Sequence, residues 1–307
     1  MREDVRRGLS AHQKTLPAAL LYDAMGSVLF EAITLLPEYE VARVDFGLLE
    51  VHAREALSWV AAPVELVELG PGHGRKARVV LREVLLRQAA ASFVAVDVAA
   101  AALEGCRRAL EDLAAVKVTG VEATFIEGLR RAPRRAGERR LVLFLGSNLS
   151  NFDRRESAAF LRDVRSTLQP GDALLLSADL DKAPARLLPA YDDVLGVTAA
   201  FNKNVLARLN REFGADFDLK AFAHEARWNA AERRVEMHLR ALRACVVRVA
   251  ALELDLTFAA GETVWTESSH RFTVDELRTW GEAAGLRTAR SWVDAQWPLA
   301  LVLFIAV

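Results

Sequence analysis

Cysteine is scarce in this chain of 307 residues: Cys106 and Cys245 are its only two, far apart and outside any CxxC or Cys/His cluster. That excludes a disulfide scaffold and a zinc module. The six histidines are scattered, and none stands in an HExxH arrangement, so no metal is expected. Excess charge of one sign is also missing, since 40 Lys+Arg against 41 Asp+Glu leave a formal net charge of −1. Nucleic acid and an acidic membrane surface are therefore not expected partners. Of the 40 basic residues, six are Lys and 34 are Arg, a skew that beside so much Ala reads as coding bias rather than a binding surface. Long apolar runs are absent too. The longest, Trp297 to Val307, is too short to span a bilayer and contains Pro298. No apolar stretch of signal-peptide type follows the Met1-Arg-Glu-Asp-Val-Arg-Arg start. A soluble, cytoplasmic, monomeric protein is expected.

What is present is a well-packed composition, 52% hydrophobic and 26% charged, with a length that suits two domains. Short apolar runs alternate with helical patterns from residue 64 onward. Val64–Leu69, Phe93–Val98, Val121–Ile126, Leu141–Leu145 and Ala173–Leu180 read as strands, the third the weakest. Arg75–Gln88, Ala100–Leu113 and Ser157–Leu168 read as the helices between them. Such βαβα order implies an α/β fold, a parallel sheet with helices on both faces. The rhythm then breaks. Residues 183–213 look helical, and Arg227–Arg248 and Ala251–Glu267 are rich in strand formers, with a hairpin turn at Asn229–Glu232. A helix at Val274–Ala284 and strands near Thr288–Val293 and Leu299–Val307 would complete a seven-stranded sheet. The expected domains are residues 46–181 with 271–307, and 1–45 with 182–270.

Glu68-Leu69-Gly70-Pro71-Gly72-His73-Gly74 lies between a predicted strand and a predicted helix. Glycines there let the backbone approach a ligand, and the helix N-terminus favours negative or electron-rich groups. The GxGxG spacing differs from the GxGxxG of dinucleotide sites. With an acidic residue two positions earlier, it resembles the first motif of S-adenosylmethionine-dependent methyltransferases. Asp97, ending the second strand, is placed to accept hydrogen bonds from both ribose hydroxyls. The competing reading is a glycine turn without a ligand, and Asp97 as a helix cap.

A wider resemblance covers nearly the whole chain. Leu21-Tyr-Asp-Ala-Met-Gly-Ser-Val-Leu-Phe30, Leu36-Pro-Glu-Tyr39 and Phe144-Leu-Gly-Ser147 with Asn151 carry it in the first half. Ala190–Asn202, Asn210–Leu219, Arg234–Arg240 and Thr266-Glu-Ser-Ser269 carry it in the second. In these stretches and their order the sequence resembles the L-histidine Nα-methyltransferases of ergothioneine biosynthesis. The residues themselves are consistent with this. Against 14 Phe the chain has only three Tyr, and Tyr22, Tyr39 and Tyr191 all fall in these stretches. Buried tyrosine hydroxyls need polar partners, so three together would suit a zwitterionic substrate.

The resemblance implies a class I, Rossmann-like, seven-stranded methyltransferase fold with an inserted α+β substrate-binding domain. It also implies S-adenosyl-L-methionine as cofactor, L-histidine as substrate, and trimethylation of its α-amine to the betaine hercynine. Gly70, Gly72, Lys76, Asp97 and Phe125 would touch the cofactor. Tyr191, Asn151 and the backbone near Gly146 would hold the substrate carboxylate. Tyr39, Glu267 and Ser269 would grip the imidazole, with Met237 packed beside the ring. Tyr22 and Phe30 would line the space around the α-amine. Tyr22, Phe30 and Asn151 are thus the expected catalytic residues, with a water on Tyr22 or Asn151 as proton relay.

Departures from the family occur at Asn148-Leu149-Ser150, at Thr124, within Gly-Pro-Gly-His-Gly, at Glu40 and at His270-Arg271. They bear on the adenine contacts more than on the amino-acid pocket. Two other readings are an N-methyltransferase for another amino acid such as tryptophan, and a catalytically silent amino-acid binder. Glu267 argues against tryptophan, because an indole N–H uses one acceptor but not a full imidazole pattern.

Overall fold

The segment Val64–Leu69 is a strand buried at every position in the computed structural model, which describes residues 1–307. A strand covered on both faces has no solvent face to alternate with, and here even Glu65 and Glu68 are buried among the apolar residues. It is central to a seven-stranded sheet ordered, by residues, 286–293, 299–306, 173–179, 139–144, 64–69, 91–97 and 116–122. The pairings among the first five strands in chain order are parallel. Strand Leu299–Ala306 runs antiparallel to both of its neighbours. Strand order reverses between 64–69 and 139–144, and open α/β sheets bind ligands beyond the carboxyl ends of strands at such a switch. This is the expected class I arrangement.

The third strand differs from expectation. It is Val116–Glu122, and Phe125–Arg131 is a helix, so Val121–Ile126 is not one strand. Val116–Glu122 is an edge strand, mostly part-exposed, and its polar residues blunt the apolar signal. Phe125 and Ile126 pack against the core from the first turn of the helix. The expected helix over 183–213 is also interrupted. Pro184–Leu187 and Leu188–Ala190 form short turns, and the long helix is Val197–Phe213, starting after Gly196. Tyr191 stands in the break.

The chain divides into two compact units, residues 1–40 with 182–270 and residues 41–181 with 271–307. The divide falls after Glu40 rather than after residue 45, because Glu40–Ser58 is one unbroken helix that buries Val41, Asp45 and Leu48 together. In the first unit a four-stranded sheet is ordered 14–15, 263–270, 234–241 and 222–229. A two-stranded ribbon pairs Cys245–Val249 with Leu254–Phe258. Phe201, Val205, Leu209, Phe222, Met237, Leu239 and Val264 form its core. At the expected hairpin, Asn229 Oδ1 accepts from the Glu232 amide at 3.1 Å. The two-residue strand Lys14–Thr15 is too short to be read from sequence. No helix is long and apolar enough to cross a membrane.

Candidate active site

In the first unit, the segment Tyr22–Gly26 is shaped by its own chemistry. Asp23 caps the helix Ala24–Thr34 by accepting from the Gly26 amide at 2.7 Å, and it also accepts from Asn204 Nδ2 at 2.8 Å. A Cβ at Gly26 would sit 1.7 Å from the Leu21 carbonyl oxygen, so only glycine fits there. This tight entry sets Tyr22 just before the helix and Phe30 within it. Their rings meet edge to face at 5.6 Å, Phe30 meets Tyr39 at 6.2 Å, and Phe201 touches both Tyr22 and Phe30. An aromatic wall results.

Facing it is strand Thr263–His270, which carries a β-bulge between Trp265 and Glu267. Before the bulge, Val264 pairs with the buried Leu239, and Trp265 pairs with His238, on which its ring stacks at 6.0 Å. After it, Glu267 pairs with Met237 and Ser269 with Val235. Directly opposed residues share a face, so the extra residue Thr266 turns Glu267 and Ser269 from the His238 face to the Met237 face. There the Tyr22 hydroxyl donates to Glu267 Oε1 at 3.4 Å, and the Tyr191 hydroxyl donates to Ser269 Oγ at 2.6 Å. Burial pushes the Glu267 carboxyl up to about 7. Burial, with the Glu267 charge second, raises the Tyr22 hydroxyl well above the usual phenol range. Met237 is 2% exposed and belongs to the apolar core directly across from Glu267.

In the second unit, Gly70, Gly72 and Gly74 all have positive φ, at 71°, 52° and 68°. Side chains other than glycine resist that region, so the turn is glycine-rich by necessity. The Gly70 amide donates to the Val96 carbonyl at 2.8 Å, tying the turn to the second strand. A Cβ at Gly70 would lie 3.1 Å from Asn148 Nδ2 and 3.5 Å from the Phe125 ring, so those side chains border the turn. Lys76 Nζ and the Gly146 amide both donate to Asp45 Oδ2, at 2.8 and 2.7 Å. Asp45, fully buried, gave no sequence signal, yet it brings Lys76 and Gly146 together. Asp97 Oδ1 accepts from the Ala99 amide at 2.9 Å, and burial raises its carboxyl above the usual range. Asn151 ends the short turn Asn148–Asn151 with its side chain exposed.

Glu68 stands out in this unit. It is 1% exposed, and neither carboxylate oxygen has a hydrogen-bond partner. Desolvation pushes it up to about 8, against the opposing pull of Lys76. A buried carboxylate under a glycine turn suits a ligand carrying positive charge, which would supply the missing partner.

A sheet of this strand order, with a glycine turn at the switch and a carboxylate ending the second strand, defines a class I S-adenosylmethionine-dependent methyltransferase. The chain belongs to the histidine-specific, SAM-dependent methyltransferase family, whose profile matches residues 1–306. It is 44% identical over 306 residues to the Histidine N-alpha-methyltransferase of Mycolicibacterium smegmatis, covering 99% of this chain and 94% of that protein. It is also 44% identical over 295 residues to the protein of the same name from Mycobacterium tuberculosis, covering 96% and 91%. An Ergothioneine biosynthesis protein 1 from Neurospora crassa is 32% identical over 203 residues, 66% of this chain and 23% of that protein. The chain is an enzyme, and its cofactor is S-adenosylmethionine.

The residues present fit that cofactor. The positively charged sulfonium and amino groups match the unpartnered Glu68, and the glycine turn leaves its backbone open to approach. Asp97→Ala is expected to weaken S-adenosylmethionine binding roughly 10- to 100-fold, the effect of losing about 1.5–3 kcal/mol of charge-assisted hydrogen bonding. Calorimetric titration of wild type and variant with S-adenosylhomocysteine measures this. Unchanged affinity would remove Asp97 from the cofactor site.

Proposed function

We propose that this enzyme methylates the α-amine of L-histidine three times, giving hercynine in the first step of ergothioneine biosynthesis. One observation carries the reading. A single strand presents Glu267 and Ser269 on one face, each hydrogen-bonded to a tyrosine from another segment. An imidazole offers one N–H donor and one acceptor nitrogen. Glu267 accepts from the first, and Ser269 answers the second. The near full-length relatives named Histidine N-alpha-methyltransferase support the same substrate.

In this reading residues 1–40 with 182–270 receive the amino acid, and residues 41–181 with 271–307 receive the cofactor through Gly70, Gly72, Lys76, Asp97 and Phe125. Tyr39, Glu267, Ser269 and Met237 surround the imidazole. Tyr191 is the first unit's contact for the carboxylate, and Asn151 and the Gly146 segment, whose amide is engaged by Asp45, are the second unit's candidate substrate contacts. We further propose that the enzyme acts as a cytoplasmic monomer.

When bound, S-adenosylmethionine supplies an electrophilic methyl group on sulfonium sulfur. The amine must be neutral to attack it, so each transfer follows the loss of one proton from the substrate nitrogen. Three transfers release three protons and leave a quaternary ammonium. The pocket's task is alignment and partial desolvation, which favours the neutral amine. As methyl groups accumulate, the faces of Tyr22 and Phe30 stabilise the cation by about 0.5–2 kcal/mol.

The test is a mass spectrum of histidine incubated with enzyme and S-adenosylmethionine. A product heavier by three methylene units is expected. Product from tryptophan but not histidine would move the enzyme to another amino acid, and no product from any amino acid would make it a silent binder.

A further inference from the structure

Tyr191 and the Glu267–Ser269 strand come from distant parts of the chain, and a line of side chains runs between them beneath the site. The Thr266 hydroxyl, at the bulge, donates to Asn202 Oδ1 at 2.6 Å and lies 3.0 Å from the Met237 carbonyl. Asn202, fully buried on the helix Val197–Phe213, donates through Nδ2 to the His238 carbonyl at 3.1 Å. The same Nδ2 is 2.9 Å from His224 Nδ1. His224 Nε2 in turn lies 2.7 Å from the Tyr191 carbonyl oxygen.

Donor and acceptor roles along this line are determined by its two ends. Backbone carbonyls only accept, so Asn202 Nδ2 is the amide donor and His224 Nε2 carries a proton toward Tyr191. His224 Nδ1 must then accept from Asn202. Only the neutral ring, protonated at Nε2, satisfies every contact. Burial, which lowers the basicity of His224, favours that form. No side chain in the line is expected to touch a substrate. They act on the chain that carries the contacts instead: Asn202 holds Thr266, which precedes Glu267, and His224 holds the backbone of Tyr191.

We propose that His224, held by Asn202, is a positioning residue that fixes Tyr191 against the Glu267–Ser269 strand and so sets affinity for the amino-acid substrate. This rests on the amino-acid reading of the site given above. The experiment compares full-length His224→Gln, His224→Asn and His224→Phe with wild type. It records KM and kcat for histidine, the Kd for S-adenosylhomocysteine, and Tm.

Gln can place an amide N–H where Nε2 stood, whereas Asn reaches only the Nδ1 position and Phe keeps volume alone. His224→Phe and His224→Asn should raise KM for histidine roughly tenfold, the effect of one lost buried hydrogen bond, while Kd for S-adenosylhomocysteine stays within about twofold. His224→Gln should recover most of the loss. Equal KM in all three variants, or a fall in cofactor affinity matching the rise in KM, would overturn the role. Nitrogen-15 spectra of the histidine side chains in wild type give a second readout, independent of turnover. A neutral Nε2–H ring at His224 is expected, and an Nδ1–H or protonated ring would overturn the assignment. If wild type does not methylate histidine, the proposed substrate fails while the spectra still decide the state of His224.

Discussion

Glu267→Ala is expected to lower kcat/KM for histidine at least about tenfold, because a buried charge-assisted hydrogen bond of roughly 1.5–3 kcal/mol is lost. The same change should relax selectivity. A pocket built to hydrogen-bond a polar ring rejects apolar analogues because its own buried groups are left unpaired. With the carboxylate gone, that penalty against phenylalanine and tryptophan disappears. The Tyr22 hydroxyl also loses its acceptor and is freed towards the space beside Phe30. Binding through the contact proposed for Tyr191 should persist, so the variant is a weaker and less selective enzyme rather than an inert one.

The pH profile gives the sign of the effect. With its carboxyl raised to about 7, Glu267 in the ligand-free enzyme is largely neutral below that pH and ionised above it. Only the ionised form accepts from an imidazole N–H through either oxygen. Histidine affinity should therefore climb as pH rises through about 7, and Glu267→Ala should lack that climb. The measurements are the Kd for histidine across pH in both proteins, and kcat/KM for histidine, phenylalanine and tryptophan at one fixed pH. A wild type that prefers tryptophan would show that the imidazole assignment is wrong.

The largest effect on stability is expected from Arg140→Met. Glu65 and Arg140 sit directly opposite each other on the adjacent parallel strands Val64–Leu69 and Arg139–Phe144. They are 1% and 3% exposed, with Arg140 Nε 2.8 Å from Glu65 Oε1. Arg140 also donates to the Pro133 carbonyl at 2.9 Å, and Glu65 Oε2 accepts from the Arg135 amide at 3.0 Å. Removing the guanidinium leaves a buried carboxylate with a single backbone donor. Breaking a buried pair in this way costs about 3–5 kcal/mol. For a unit of this size the loss corresponds to a Tm lower by roughly 6–20 °C in calorimetry. Replacing both partners by apolar residues should restore most of it, since no charge is then stranded. A variant melting within a degree or two of wild type would mean that water reaches Glu65 in the folded state.

Strands covered on both faces were legible from composition alone. Leu141–Leu145 and Ala173–Leu180 read as largely apolar runs because a buried parallel strand has no solvent face to encode, and Val64–Leu69 reads as a strand although Glu65 and Glu68 are buried within it. The glycine turn was legible for a comparable reason: positive φ at Gly70, Gly72 and Gly74 excludes most other residues, so the backbone geometry is written in the sequence. The edge strand Val116–Glu122 was not, because half-exposed positions tolerate polar residues and its pairing with Ala91–Asp97 is invisible locally. Asp45 was equally silent, since its two partners, Lys76 and Gly146, lie 31 and 101 residues away.

The two-residue period of a strand puts Glu267 and Ser269 on a common face but cannot say which. Local sequence determined the strand itself through its β-branched and aromatic residues. The face was decided by one extra residue, Thr266, whose hydroxyl is drawn inward to Asn202 on a helix more than sixty positions earlier. Shifting register by one residue turns every following side chain to the opposite side of the sheet. Without that long-range hydrogen bond and the bulge it accompanies, Glu267 would lie with His238 and Trp265 rather than beside Tyr22. The local sequence thus supplied the carboxylate, and only tertiary packing aimed it.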